Sequence, residues 1–111
     1  MGIALLDSNT VIGFLDADDA LHPAADAAVR AAAADHVFVV SVVTVAEVLT
    51  GARLGHHDEQ TVRGFLAQAV SRRIPLDEPA AELNADVMIT ADEQLLKLPG
   101  LACELRFVAS A

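Results

Sequence analysis

Three carboxylates in this sequence stand where a buried element gives way to a polar one. Asp7 ends the apolar run Gly2 to Leu6, Glu47 sits about a turn beyond the run Val37 to Val40, and Asp92 follows Val87 to Thr90. Acids delivered to one edge repel one another unless a cation neutralises them, so their gathering implies a divalent ion held by oxygen. Each acid also has a structural reading. Asp7, Ser8 and Asn9 can all accept from free amides at a helix start, and with Ser8 and Asn9 available as caps, Asp7 reads better as a ligand. Thr44-Val45-Ala46-Glu47 matches a capping box in which Glu47 returns to the Thr44 amide, and spacing alone favours that reading. Asp92 can be a helix-start acid with Thr90 as the cap. The conjunction of the three, rather than any one of them, points to metal chemistry.

Other candidates carry less. His56-His57-Asp58-Glu59 falls in a helix-to-helix turn where adjacent residues point different ways, so a solvated turn with Asp58 as cap is expected. Asp16, Asp18 and Asp19 form an acidic loop before His22-Pro23, with solvation as their default. Arg72 and Arg73 suit a phosphate or, equally, a helix C-terminus. There is no Gly-rich phosphate loop and no serine nucleophile elbow, which removes support for those reaction classes.

The elements that must position the acids alternate. Gly2 to Leu6, Val37 to Val40, Ile74 to Leu76, Val87 to Ile89 and Leu105 to Val108 read as strands, the first four apolar on both faces as in a covered parallel sheet. Helical patterns lie between them. Thr10 to Leu15 follows the capping residues Ser8 and Asn9, and Ala24 to Ala34 has Pro23 in its first turn. Thr44 to Leu54 stops near Gly55, and a helix from about Asp58 buries Val62, Phe65, Leu66, Ala69 and Val70. Pro79 to Leu83 and Ala91 to Lys97 complete the set. The pattern predicts an α/β fold with a mainly parallel sheet, in which ligands collect beyond the carboxyl ends of the strands.

At 111 residues the chain is the size of one domain, and residues 1–111 are read as such. Hydrophobic residues make up 54% of it, yet charged residues interrupt every apolar run well short of the roughly 20 needed to cross a bilayer. No membrane association is expected. The start reads as a buried strand rather than a cleaved signal, giving an expected cytoplasmic location. A single cysteine, Cys103, leaves no intrachain disulfide and no thiolate zinc site. The formal charge of −9 opposes direct phosphate binding unless a cation at clustered acids presents positive charge. The remaining acidity suits a basic partner.

Taken together, the motifs resemble a family. LLDSNTVIGFLD is similar to the opening of PIN-domain VapC toxins, SVVTVAEVLTGARLG to their second acidic motif with Glu47 as the acid, and VMITADEQLLKLPGL followed by RFV to their last. IPLDEPAAEL resembles the strand and helix start after the family's long central helix, so the resemblance spans nearly the whole chain. It implies a PIN-like three-layer sandwich with helices on both faces of a mainly parallel sheet. It further implies a metal-dependent endoribonuclease toxin with Mg²⁺ or Mn²⁺ held by Asp7, Glu47 and Asp92. The implied partners are RNA as substrate, a second copy in a homodimer, and a VapB-type antitoxin whose tail, often with a basic residue, enters the acidic site.

The sequence departs from the family at one place. VapC-like chains continue through a segment resembling LPDALIAATA, which supplies another catalytic aspartate and a helix over the sheet. Here Leu83 runs directly into Asn84-Ala85-Asp86, and neither Glu82 nor Asp86 has the surrounding motif. Losing one ligand weakens metal binding, so low or absent activity is expected. The alternative is a degenerate toxin that only binds its antitoxin or itself. A phosphoaspartate receiver or phosphatase using Asp7 is disfavoured, since the D-x-D of the phosphatases and the late lysine of the receivers are both missing.

Overall fold

Turn chemistry divides the chain where capping residues meet apolar runs. The computed structural model describes residues 2–74, 86–90 and 104–108. In order these form β1 (Gly2–Leu6), α1 (Ser8–Leu15), α2 (His22–Ala33), β2 (His36–Ser41), α3 (Val42–Arg53), α4 (Glu59–Gln68), β3 (Val70–Ile74), β4 (Val87–Thr90) and β5 (Glu104–Phe107). Ser41 caps α3 and Asp58 caps α4, each by accepting from an amide three residues on. Pro23 occupies the first turn of α2, where its missing N–H costs nothing. Gly55, at φ +83°, takes the left-handed conformation that stops α3.

The five strands make one sheet in the order β3-β2-β1-β4-β5, with every pairing parallel. The α/β fold with a parallel sheet is therefore the one expected. Side chains alternate along its strands. Ala4, Leu6, Phe38, Val40, Val87 and Ile89 join Val11, Val29, Val48, Val62 and Leu66 of the four helices in the main core. Leu5 and Val39 turn the other way, packing with Ile3 and Met88. Both faces of the central strands are thus apolar, which is why GIALL and VFVV are continuous runs rather than alternating ones. Among the described residues no helix is long and apolar enough to cross a membrane.

Three local expectations are corrected. Val70 belongs to β3 rather than to the preceding helix, which ends at Gln68 and leaves Ala69 exposed. That strand spans Val70–Ile74 and so begins four residues before the expected Ile74 to Leu76; Ile74 lies in it, and Pro75 and Leu76 are outside the described residues. Arg72 and Arg73 consequently lie on a strand and not at a helix C-terminus. Finally, α1 begins at Ser8 and not Thr10, because Asp7 itself is the cap. The helices expected at Pro79 to Leu83 and Ala91 to Lys97 lie outside the described residues.

Candidate functional site

Asp7 leaves the carboxyl end of the central strand, and register fixes its neighbours. Leu6 pairs with Val40 on one side and Ile89 on the other, so Ser41 and Thr90 flank Asp7 at the next level. The Asp7 backbone is extended at φ −88°, ψ 172°, and its carboxylate turns back over α1, where Oδ1 accepts from the Thr10 amide at 2.9 Å. The preference for Ser8 or Asn9 as cap is overturned: both lie inside the helix. Capping and ligation do not compete, since each carboxylate oxygen has more than one lone pair to offer.

Two buried hydroxyls anchor this corner. Thr90 Oγ1 donates to Asp7 Oδ2, and Thr10 Oγ1 donates to the Ile89 carbonyl at 3.0 Å. Both threonines have no solvent exposure, so each hydroxyl requires its partner. The Asp7 amide also donates to the Ile89 carbonyl, at 3.3 Å. Side chain and backbone together clamp the start of α1 onto the end of β4. The Thr90 hydroxyl proton goes to Asp7, while the Asp92 segment that Thr90 was expected to cap lies outside the described residues.

Glu47 reaches the same corner from α3. The capping-box reading fails, because the Thr44 amide is satisfied at 3.1 Å by Ser41 Oγ, and Ser41 is the true cap. Glu47 is thereby released from the helix start. It is exposed on the second turn, and its Oε1 accepts from Ser8 Oγ at 2.9 Å. Ser8 follows Asp7 directly, so Glu47 is tied to the residue next to Asp7 in the chain. Asp92 lies outside the described residues. Among those described, no group of three or more His, Cys, Asp or Glu is placed to hold a metal ion.

Asp86 is settled at the opposite end of the sheet. Its Oδ2 accepts from the Ile3 amide at 2.7 Å, its own amide donates to the Ile3 carbonyl at 2.9 Å, and its carbonyl accepts from the Glu104 amide at 3.1 Å. It ties β1, β4 and β5 together near their amino ends, roughly 13 Å along β1 from Asp7 at about 3.3 Å per residue. A carboxylate so placed cannot replace an acid at the other edge.

Asp58 caps α4 as expected, while Asp16 and Asp19, expected only to be solvated, close turns. Asp16 Oδ1 accepts from the Asp18 amide and Asp19 Oδ1 from the Leu21 amide. Asp58 Oδ2 accepts from the Thr61 hydroxyl at 2.7 Å and from the Thr61 amide at 2.8 Å. These bonds, the hydroxyl first, hold its carboxyl below the ordinary aspartate value. A cleft of about 160 Å³ lies between Leu15 and Asp16 at the far end of α1 and His56 to Asp58. It is separated from Asp7 by the length of that eight-residue helix, roughly 10 Å at 1.5 Å per residue.

The described strands and helices define an α/β domain with an all-parallel sheet, Asp7 standing at its carboxyl edge and Glu47 tied to it through Ser8. A chain of the crystal structure of VapBC2 from Rickettsia felis bound to a DNA fragment from their promoter has the same fold, with a TM-score of 0.60 at 14% identity. The match covers 93% of this chain and 98% of that one. At that identity the likeness is one of fold. No protein-family model matches the sequence, and no curated protein does so.

Proposed function

We propose that this protein is a VapC-type toxin, a single PIN-like domain over residues 1–111 acting as a divalent-metal-dependent endoribonuclease. The observation that carries this reading is the hydrogen bond from Ser8 to Glu47, which ties Glu47 to the residue next to Asp7 at the carboxyl edge of a parallel sheet. With Asp92 as the third acid, the donors are all oxygen, which suits a hard ion such as Mg²⁺ or Mn²⁺. Bound there, such an ion supplies an activated water and offsets the charge developing on an RNA phosphate. Asp7 brings a carboxylate already fixed by Thr10 and Thr90, so little reorganisation is needed on binding. A cation also answers the difficulty that a chain of net charge −9 has in approaching RNA.

The partners follow from the same reading. A VapB-type antitoxin with a basic tail complements the acidic corner, and the structurally similar chain comes from an assembly named VapBC2. Val42 and Val43, 40% and 41% exposed at the start of α3, offer apolar surface to such a partner or to a second copy in a homodimer.

A second reading has its own support. The segment that normally carries a further aspartate is missing between Leu83 and Asp86, and the Asp86 carboxylate is committed to Ile3. Activity should therefore be low, down to a toxin that binds its antitoxin without cutting RNA. The test is cleavage of a mixed RNA substrate by the intact chain in Mg²⁺ or Mn²⁺, beside a VapC-type enzyme that carries the segment. Weak cleavage abolished by EDTA and by Asp7→Asn is expected. Cleavage indifferent to EDTA and to Asp7→Asn removes the metal-nuclease reading. Turnover equal to that of the comparison enzyme removes the expectation of impairment.

A further inference from the structure

We infer that Ser8 is a positioning residue for Glu47, orienting that carboxylate for a cation before the ion arrives. This rests on the metal-site reading above and adds to it a residue with no ligand role of its own.

Glu47 alone is poorly suited to a site. It is exposed on α3, and fixing a long glutamate side chain costs rotamer entropy. The Ser8 hydroxyl restricts it by donating to Oε1 at 2.9 Å, joining elements 39 residues apart. The donor is itself well held. Ser8 is half-buried in the first turn of α1, and that turn is seated on β4 by the Asp7 amide, the Thr10 hydroxyl and the Thr90 hydroxyl. Because Asp7 caps α1 by accepting from the Thr10 amide, the Ser8 hydroxyl is not needed for that task and is available to Glu47. With one bond to Oε1, the carboxylate is oriented while lone pairs on both of its oxygens remain to serve a cation. Groups of this kind, which orient a ligand rather than bind the ion, typically change metal affinity 10- to 100-fold when removed.

The experiment is calorimetric titration of Mn²⁺ into the intact chain and into Ser8→Ala, Ser8→Thr, Glu47→Gln and Asp7→Asn, with unfolding of each followed in EDTA. Expected is a Kd raised about 10-fold or more by Ser8→Ala, and restored most of the way by Ser8→Thr, which keeps a hydroxyl. Metal-free unfolding of Ser8→Ala should move little, since one exposed hydrogen bond contributes modestly. If Ser8→Ala takes up Mn²⁺ like the native chain while Glu47→Gln and Asp7→Asn do not, the role of Ser8 is overturned and the metal site stands. If Ser8→Thr is as weak as Ser8→Ala, packing and not the hydroxyl is responsible, and the role is again overturned. If the native chain takes up Mn²⁺ no better than Glu47→Gln and Asp7→Asn, the metal-site reading fails and the role of Ser8 fails with it.

Discussion

Replacing Thr90 by valine tests the clamp on which the candidate site is built. The substitution keeps size and β-branching and removes only the hydroxyl that donates to Asp7, at a position with no solvent exposure. A hydrogen bond to a charged group contributes roughly 1.5–3 kcal/mol. The added methyl, buried in the same place, recovers up to about 0.8 kcal/mol. The expected net loss is thus about 1–2 kcal/mol. At a urea dependence of about 2 kcal/mol per molar, the unfolding midpoint should fall by roughly 0.5–1 M. A double-mutant cycle with Asp7→Asn assigns the loss to the pair, with a coupling of about 1 kcal/mol expected for groups in direct contact. A Thr90→Val chain as stable as the native one, or a cycle that is additive within about 0.3 kcal/mol, would show that the hydroxyl does not hold Asp7.

Further expectations concern the supports around this corner. Gly13 lets α1 and α2 approach, and a Cβ there would lie 3.1 Å from the Leu21 Cβ and 3.2 Å from the Ala25 Cβ. Gly13→Ala should lower the thermal midpoint through overpacking of about 1–3 kcal/mol, outweighing the gain in helix propensity of up to about 1 kcal/mol; a raised midpoint would contradict this. At Gly51 a Cβ would meet His57 Nε2 at 2.6 Å, so Gly51→Ala should gain about 1 kcal/mol only where His57→Ala has already cleared the ring. Equal effects in both backgrounds would refute that contact. Because Thr61 lowers the Asp58 carboxyl, its contribution to stability is complete at neutral pH, where folded and unfolded forms are both ionised, and disappears as pH falls through the folded value. The stability gap between the native chain and Asp58→Asn should therefore narrow on acidification, and a gap unchanged down to about pH 3 would count against it.

Much of the architecture is legible in the sequence because central parallel strands are apolar on both faces and stand out as continuous runs. The start of the edge strand β3 is not. Ser71-Arg72-Arg73 carries no such signature, and Val70, by falling four residues after Leu66, extends the helical spacing past the true end of α4. The acids are legible as types, but their local roles are exchanged. Asp7 does the capping expected of Ser8 and Asn9, and Ser41, outside the Thr44 to Glu47 spacing, takes over the cap that Glu47 was expected to complete. Both exchanges share a cause: a four-residue spacing identifies a cap only once the first helical residue is known, and α1 and α3 each start two residues earlier than their apolar periodicity suggests. The anchoring roles of Thr10 and Thr90 are hidden because their partners are 79 and 83 residues away, a separation that local patterns do not encode.

That separation bears on when the protein can acquire its chemistry. The central strand is made first, yet one of its two neighbours, β4, comes from late in the chain, and Asp7 gains the Thr90 hydroxyl and the Ile89 carbonyl only when β4 arrives. During synthesis β1 can pair with β2 and the helices between β1 and β3 can form, but the acidic corner stays unfastened until Val87 to Thr90 have been added. A product ending before Val87 would lack the Ile89 and Thr90 bonds that fasten Asp7.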